Sequence, residues 1–390
     1  MALPGAVALH SDRSSGQSRV KGGWLAQLST DYADVCVEWE RLAESGAALP
    51  FQRRGWLQHW YGAHRQPDFL AVLVTVRHRC TGAAVMALPL VLYRDGPLRV
   101  ISFADGGLTD YNAPILGADA PPDAASACQI LCAIRAILPP ADLLYFGKMP
   151  LHVGGRTNGL ALLPGTQASS LTGNILHVPR GWDDWHHGLE RTFRKELERS
   201  LRVFQKAPGA EFRHITGAAE IARVYGVLKS QQRERIAELG LPYILDDPAC
   251  ERFYDGLVAG GETILTALMA GEEVVAALLG IENGGHYAMV RLSTAGAKWK
   301  TCSPGRLLIE RTMRMLHNQG CRKFDFTIGE YAYKRRMGVT NVPLHEWRLA
   351  LSWRGWPLVI KKNARAFVRL SPGIKRLAKA IQAKLMSHPG

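Results

Sequence analysis

One stretch of this chain, residues 263–336, constrains the fold more than any other. It opens with three strand-like segments separated by glycine-containing hairpin signals: residues 263–269, 274–282 and 286–293. The tripeptide Ser303-Pro-Gly305 then begins an amphipathic helical pattern that stops at Gly320. Residues 323–328 alternate apolar and polar side chains, which predicts a strand with two different faces. The predicted order is an antiparallel meander, a helix and one further strand.

The tripeptide at the start of this helix is a candidate anion-binding site. Ser303 suits an N-cap, Pro304 fits the first helical position, and Gly305 adds no side chain that would keep a ligand from the backbone. Unpaired N–H groups and the positive end of the helix dipole would favour a pyrophosphate there. The same tripeptide also begins ordinary helices. The residues predicted to bind a phosphorylated cofactor are Lys300, Ser303, Pro304, Gly305, Arg306 and Leu307.

Three short motifs of this stretch occur together in a known family. The Ser-Pro-Gly run that begins at Ser303 is followed by Phe324-Asp-Phe-Thr-Ile-Gly-Glu330 and then by Tyr333-Lys334. This combination resembles the motifs of the CelD/BcsL-type acetyltransferases of cellulose and exopolysaccharide biosynthesis, which are related to the Fem-type peptidoglycan aminoacyltransferases. The resemblance covers about residues 50–350, and its specific part lies in the second half. It implies an α/β chain with mixed sheets, built from two tandem GNAT acyl-CoA N-acyltransferase domains.

The first half repeats the predicted element order of the second half. Its elements are strands at 69–77, 83–93 and 98–103, a helix at 122–137 and a strand at 143–146. Asp123 introduces the first-half helix, and its carboxylate would repel a pyrophosphate, so the donor is expected in the second half and the acceptor cleft in the first. The predicted boundaries are a disordered segment 1–22, an N-terminal GNAT-like domain 23–165, a linker within 154–173, a C-terminal GNAT domain 174–353 and a basic tail 354–390.

The resemblance also implies an activity. The co-substrate would be an acyl-CoA, most simply acetyl-CoA, and the acyl group would pass directly to an amine of an amino sugar or other cell-surface polysaccharide precursor. In the GNAT arrangement the pantetheine arm lies between two splayed strands, which here would be residues 286–293 and 323–328. Three alternatives stay open: a Fem-type transferase that uses aminoacyl-tRNA, a non-catalytic GNAT module in a polysaccharide synthase complex, and O-acylation of a hydroxyl.

Amine acylation needs a base for the acceptor nitrogen and tolerance of the leaving thiolate. Asp325 is the first candidate base or ammonium anchor, although a solvent-facing strand acid would explain it equally well. Glu330 is the second candidate base. Tyr333 is a candidate proton donor to the sulfur, although aromatic packing is the commoner role of such a tyrosine. The residues predicted to bind the acceptor or its phosphates are Asp110, Tyr111, Arg291 and Lys334, and an ordinary polar turn would equally explain the first two.

Composition sets wider limits on the class of protein. The 390 residues are 47% hydrophobic, which is enough for two ordinary cores. The sequence has neither a secretory signal pattern nor an apolar run of membrane-spanning length, and its seven cysteines form no C-x-x-C pair. These features predict a cytoplasmic protein. The histidines lack the cysteine or carboxylate neighbours of a metal site, so no metal is predicted.

The formal net charge of +14 is concentrated at the C-terminal end. Residues 354–390 contain nine lysines and arginines, no aspartate or glutamate, and interleaved apolar residues. This pattern predicts a basic amphipathic tail that either contacts an anionic inner membrane surface or packs on the catalytic domain with its basic face in solvent. Binding of nucleic acid is disfavoured because no recognised nucleic-acid module accompanies the charge.

Overall fold

The structure is a computed structural model that describes residues 23–65, 69–178 and 181–360. The predicted disordered segment 1–22 and residues 361–390 of the basic tail lie outside these ranges. The first half contains strands β1 (Trp24–Ser29), β2 (Leu70–His78), β3 (Ala84–Asp95), β4 (Leu98–Phe103), β5 (Ile115–Leu116), β6 (Leu143–Pro150), β7 (His152–Val153) and β8 (Arg156–Thr157), with helices α1 (Tyr32–Ser45), α2 (Arg54–Ala63) and α3 (Ala124–Arg135).

The second half begins with a long strand and continues with helices on both sides of a meander. Its strands are β9 (Gln167–His177), β10 (Ala210–Ile215), β11 (Ile264–Ala270), β12 (Glu273–Asn283), β13 (His286–Thr294), β14 (Lys323–Asp325) and β15 (Thr340–Ala350). Its helices are α4 (Trp182–Gly188), α5 (Arg191–Phe204), α6 (Ala218–Glu238), α7 (Pro248–Ala259), α8 (Pro304–Asn318) and α9 (Ala332–Arg336). Short 3₁₀ turns occur at Pro50–Gln52, Gly159–Leu162, Ile244–Asp246, Ala297–Cys302 and Trp353–Gly355.

Both halves contribute to one mixed sheet with the strand order β1-β2-β3-β4-β6-β15-β9-β14-β13-β12-β11-β10, and β5 pairs with β3 off this path. Each half contains an antiparallel meander followed, across a helix, by a parallel strand. That parallel pair is β4 with β6 in the first half and β13 with β14 in the second. The described residues therefore form two GNAT-like halves, as the sequence predicted, and the halves share a single continuous sheet, which the sequence did not predict.

The halves are joined by an exchange of strands. β9 follows the first half in the chain but pairs with β14, whereas β15 at the end of the second half pairs with β6 of the first. β9 and β15 also pair with each other, so the sheet is continuous. The stretch 154–173, predicted as a linker, contains β8, a 3₁₀ turn and the first residues of β9. An irregular connection was expected from its glycine and serine content, but its backbone groups are used in the sheet.

Apolar side chains pack on both faces of the sheet. One core joins the first half to α6 and α7, and Trp56 of α2 meets Phe253 of α7 with their ring centroids 4.8 Å apart. The other core packs α4, α5 and α8 against the opposite face of β12, β13 and β14 around Phe193, Leu308 and Phe324. Burial of these two faces fixes the register of the central strands.

The structure confirms the predicted meander and helix to within two residues, and it also places a helix over the basic run that begins at Arg191. The strand predicted at 323–328 is shorter than expected, because β14 ends at Asp325. Two residues later Thr327 has a φ of 59°, a left-handed conformation that a β-branched residue rarely adopts. The strand therefore ends at a turn that its alternating pattern did not reveal.

Candidate active site

The central feature of the second half is a cleft between β13 and β14. These strands pair at only three positions, the last being Ala288 with Asp325. β13 then continues to Thr294, while the chain turns away after β14. A cavity of about 630 Å³ opens between them and reaches the first turn of α8. The short length of β14 thus creates a wedge in the middle of the sheet.

Lys334 of α9 holds open the loop that follows β14. Its buried ammonium group donates to the carbonyl oxygens of Phe326 at 2.7 Å and Ile328 at 2.9 Å, with a longer contact of 3.3 Å to that of Thr327. Burial lowers the pKa of Lys334 to about 8, while Asp110 and Asp325 act in the opposite direction. The sequence predicted phosphate or acceptor binding by Lys334. Its donors support the loop, and its side chain also lines the cleft, so binding of phosphate or acceptor by Lys334 stays a prediction.

The N-terminus of α8 forms one end of the cleft. Its first hydrogen bond runs from the N–H of Leu307 to the carbonyl of Ser303 at 3.2 Å, so the N–H groups of Gly305 and Arg306 precede the helical ladder. Ser303 occupies the N-cap position, as the sequence predicted, but its φ is 45° and its side chain makes no capping hydrogen bond. Its hydroxyl instead accepts a hydrogen bond from the Arg306 guanidinium at 2.7 Å.

Gly305 allows α8 to lie close to β13. A Cβ built on it would be 3.3 Å from the side chains of both Leu292 and Thr294, which also line the cleft. Pro304 lines the cleft as well. Leu307 does not belong with these residues, because its side chain is fully buried in the core below the helix. The prediction of a cofactor-binding role for the Leu307 side chain is therefore corrected.

Four basic side chains lie near this helix terminus. Arg306 donates to Glu196 of α5 at 3.0 Å, and the same carboxylate accepts from Arg336 of α9 at 2.9 Å. Lys300 is exposed and lines the cleft, as does Arg235 from α6. The sequence gave no signal for Arg235, since it lies on the exposed face of a helix 70 positions before Gly305. Positive charge thus surrounds the N–H groups of α8.

The equivalent pair in the first half is β4 and β6. β4 ends at Phe103, and the segment after it carries the buried side chains of Leu108, Tyr111 and Ala113. At the start of α3, the carboxylate of Asp123 accepts a hydrogen bond from the N–H of Ser126 at 2.9 Å. A carboxylate therefore already occupies the helix terminus that corresponds to the start of α8.

Asp325 and Tyr111 connect the two halves beneath the cleft. Oδ1 of Asp325 accepts from the Tyr111 hydroxyl at 2.8 Å and from the N–H of Thr327 at 2.7 Å. Oδ2 lies 3.3 Å from Nε2 of His286. Asp325 is only 1% exposed. We therefore assign it a positioning role in place of the base expected from the sequence.

Tyr111 likewise differs from its predicted role. Its ring is buried, and a Cβ on Gly173 of β9 would lie 2.4 Å from its hydroxyl oxygen, so only glycine leaves room for the hydroxyl at that position. The sequence predicted that Tyr111 binds the acceptor, but its ring packs against Phe51 inside the protein. Tyr111 is a structural contact between the halves.

Asp110, the neighbour of Tyr111, is half-buried at the junction of the two halves. Its carboxylate hydrogen-bonds to the side chain of Thr327 and lies in the field of Lys148 and Lys334. Burial raises the pKa of Asp110 to about 6, although the Thr327 hydrogen bond and both lysines oppose this effect. A carboxyl that titrates near neutrality beside the loop bordering the cleft has the properties of a general base.

Arg291 lies on the middle of β13 and faces α6 and α7. Its Nε donates to Gln232 at 2.8 Å, and its guanidinium is 4.8 Å from the ring centroid of Tyr254. Asp110 is close enough to Tyr254 to contribute to that residue's pKa, which is raised chiefly by burial. The structure thus brings Asp110 and Arg291, two predicted acceptor-binding residues, to the same side of the cleft.

The two remaining catalytic candidates have different surroundings. Tyr333 is half-buried and lines the cleft, and burial raises its pKa to about 12, so its hydroxyl keeps its proton at neutral pH. Glu330 is exposed and does not line the cleft. Tyr333 is therefore placed to donate a proton, whereas Glu330 as a base would require movement of the loop.

The described residues contain no candidate metal site and no helix that could span a membrane. No group of three or more histidine, cysteine, aspartate or glutamate side chains there could hold a metal ion. None of the helices in these ranges combines the length and apolar character needed to cross a membrane.

Loss of the Tyr111 hydroxyl should destabilise the protein. We expect Tyr111→Phe to lower the free energy of unfolding by about 1.5–3 kcal/mol, because the buried Asp325 carboxylate loses a short hydrogen bond. Tyr287→Phe is the matched control, since the buried Tyr287 hydroxyl has no hydrogen-bond partner in the described part of the chain. Urea unfolding of both variants measures the difference. Equal stability losses would contradict the role assigned to the contact between Tyr111 and Asp325.

Comparison with known proteins agrees with this geometry. Residues 191–335 match the family model of the acetyltransferase (GNAT) domain. The match, together with the wedge between β13 and β14, defines this part of the chain as a GNAT-family acyltransferase domain. No curated protein sequence matches the chain at a significant level.

Solved structures share the two-domain fold. The crystal structure of FemX is similar with a TM-score of 0.60 and 12% identity, covering 83% of this chain and 96% of that one. A conserved protein of unknown function from Bacteroides thetaiotaomicron gives a TM-score of 0.53 and 10% identity, covering 83% and 99% of the two chains. A tandem GNAT protein from the clavulanic acid biosynthesis pathway gives 0.48 and 13%, covering 84% and 99%.

Proposed function

We propose that this protein transfers an acyl group, most simply acetyl, from coenzyme A to an amine. The observation that carries the proposal is the cleft between β13 and β14, which ends at the N-terminus of α8 within the part of the chain that matches the GNAT family. Its volume of about 630 Å³ lies in the usual range of ligand pockets. An acyl-CoA supplies the activated acyl group when it is bound in this cleft.

The donor's pyrophosphate fits the first turn of α8. The N–H groups of Gly305 and Arg306 are free of the helical ladder, and the helix dipole adds partial positive charge. Lys300 and Arg235 contribute mobile charges at the rim, while Arg306 is held in place by Glu196. Beyond Ala288, one edge of β13 faces the cleft. The pantetheine arm of the donor would lie along this edge and lead to the thioester.

The chemistry requires removal of one proton and delivery of another. Asp110 accepts a proton from the acceptor amine, whose nitrogen then forms a bond to the acyl carbon as the carbon–sulfur bond breaks. Tyr333 protonates the departing thiolate and regains its proton from solvent. A pKa of about 6 keeps most of the Asp110 carboxyl ionised at neutral pH, and a pKa of about 12 keeps the Tyr333 hydroxyl protonated.

The acceptor is proposed to be an amino sugar or another amine of a cell-surface polysaccharide precursor. The support for this is the sequence resemblance to the CelD/BcsL-type acetyltransferases, together with the half-buried polar side chains of Asp110 and Arg291. The guanidinium of Arg291 suits a carboxylate or phosphate on the acceptor. We propose a cytoplasmic site of action because both expected substrates are found there.

Calorimetric titration of acetyl-CoA into the purified protein tests the donor assignment. We expect micromolar binding that is matched by desulfo-CoA, a non-reactive analogue with the same pyrophosphate, and is absent for bare tRNA. Preference for tRNA over acetyl-CoA would instead support a Fem-type aminoacyl transfer. If neither ligand binds to folded protein, a non-catalytic role in a synthase complex becomes the better account.

A further inference from the structure

The loop that carries Asp110 is bound by a single residue of the neighbouring strand β6. The ammonium group of Lys148 forms an ion pair with Asp105 at 2.7 Å and donates to the carbonyl oxygen of Thr109 at 2.6 Å. The carbonyl oxygen of Lys148 accepts a hydrogen bond from the backbone N–H of Asn112 at 3.1 Å. The chain is therefore bonded to Lys148 both just before and just after Asp110.

The backbone of Lys148 has a conformation that lysine rarely adopts. Its φ is 57°, in the left-handed region. Among the non-glycine residues that the structure describes, Ser303 and Thr327 also have a positive φ, and both of these line the cleft. Such a conformation is unfavourable and persists where the surrounding contacts impose it, often at functional sites. In Lys148 it accompanies the use of both the side chain and the carbonyl group to hold the Asp110 loop.

Two lysines thus support the two loops that meet at Asp110. Lys334 donates to backbone carbonyls of the loop after β14, and the side chain of Thr327 in that loop hydrogen-bonds to the Asp110 carboxylate. Lys148 holds the loop on the opposite side through the carbonyl of the residue that precedes Asp110. The location of the Asp110 carboxylate is therefore fixed by Lys148 from its own half and by Lys334 from the other.

The titratable groups around Asp110 come from several elements. The cations of Lys148 and Lys334 favour its ionised form, whereas burial and the Asp325 carboxylate favour its protonated form. Two further neighbours are hydroxyls that keep their protons because burial raises their pKa, those of Tyr111 and Tyr254. Loss of the charge of Lys148 should therefore raise the pKa of Asp110.

We propose that Lys148 is a positioning residue for acyl transfer, which holds the Asp110 carboxylate where it accepts the proton of the acceptor amine. This inference rests on the proposed function of Asp110 as the base. Lys148 acts through Asp110 and does not touch the reacting atoms, since its ammonium group is bound to Asp105 and Thr109.

The pH dependence of kcat/KM in Lys148→Met tests this role. We expect the rate at pH 7 to fall about tenfold or more, because the base is displaced. The midpoint of the rise, near pH 6 in the wild type, should move upward by about one pH unit, because Asp110 loses a nearby cation. Lys148→Arg keeps the charge and should keep the midpoint near that of the wild type. Lys148→Gly suits the left-handed φ and also lacks the cation, so it should show the same upward movement even if the methionine variant does not fold.

A matched control is available between α6 and α7. Lys229 is also a half-buried lysine with two carboxylate partners, Glu251 and Asp255, each at 3.1 Å. Lys229→Met should leave the midpoint unchanged. A midpoint that stays near pH 6 in both Lys148→Met and Lys148→Gly would overturn the proposal, as would an equal movement in the control.

A carbon-13 NMR titration follows the same carboxyl without catalysis. The protein is labelled in the aspartate carboxyl groups, and Asp110→Asn identifies the signal of Asp110 by its loss. We expect the midpoint of this signal to be higher in Lys148→Met than in the wild type. A wild type that transfers no acyl group to any amine would contradict the acyl-transfer proposal, whereas the NMR midpoint would still decide whether Lys148 controls the ionisation of Asp110.

Discussion

Replacing Gly305 with glutamate should raise the dissociation constant for acetyl-CoA by about a hundredfold or more, equivalent to about 2.8 kcal/mol. The new side chain would begin between α8 and β13, 3.3 Å from Leu292 and Thr294, and would have to extend into the cleft. Its carboxylate would then compete with the pyrophosphate for the N–H groups and the dipole of α8. Calorimetry with acetyl-CoA and desulfo-CoA measures the change.

Two further variants distinguish the effect of the added charge on acetyl-CoA binding from the effects of added volume and of changed helix propensity. Gly305→Ala adds the same Cβ without the charge, so it should weaken binding only a few-fold. Gly226→Glu places a glutamate on an exposed position of α6 where nothing lies within 4 Å of the added Cβ, and it should leave binding unchanged. If Gly305→Glu binds acetyl-CoA as tightly as the wild type, the pyrophosphate does not bind at α8.

Replacing Asp110 with asparagine should lower kcat/KM for acyl transfer by about a hundredfold or more, the usual contribution of a general base. Asparagine keeps the size and can keep a hydrogen bond to Thr327, but it cannot accept the proton. The binding of acetyl-CoA should not change, because Asp110 does not line the donor cleft. Rate measurements with an amine acceptor, together with calorimetry, distinguish the two effects.

The pH dependence provides a second test of Asp110. A base is active when it is deprotonated, so wild-type kcat/KM should rise as the pH increases through about 6 and then level off. Asp110→Asn should lose this rise, whereas Asp119→Asn, at an exposed position of the same half, should retain it. The role of Asp110 would be refuted if its variant kept the rise and Glu330→Gln lost it.

Local patterns predicted the elements well because the signals that begin and end them are short. Glycine-containing turns set the limits of β11, β12 and β13, and Gly320 follows the end of α8 by two residues. The end of β14 was missed because it depends on distant groups. The N–H of Phe326 donates to the carbonyl of Asn174, and the Lys334 ammonium donates to the carbonyl of Phe326 and to those that follow. The backbone therefore leaves the strand at a point where the alternating apolar and polar sequence pattern continues.

The candidate site was predicted unevenly for the same reason. Gly305 and its neighbours are contiguous and form one helix terminus, so a short motif could identify them. The roles of Asp325 and Tyr111 depend on a hydrogen bond between residues 214 positions apart, and the two side chains cover each other. Asp110 was predicted to bind the acceptor, with an ordinary polar turn as an equal alternative, but its raised pKa could not be predicted because it results from burial.

The sequence by itself determined the order of meander, helix and further strand in each half, the start of α8 and the accumulation of basic residues at the C-terminal end. These depend on periodicity, capping and composition, which act over a few residues. Only the tertiary structure decided that β9 and β15 are exchanged between the halves, that Asp325 is fully buried while Asp110 is half-buried, and that Trp353 is exposed. Such properties arise from burial and pairing between distant segments, and neighbouring residues in the chain do not encode them.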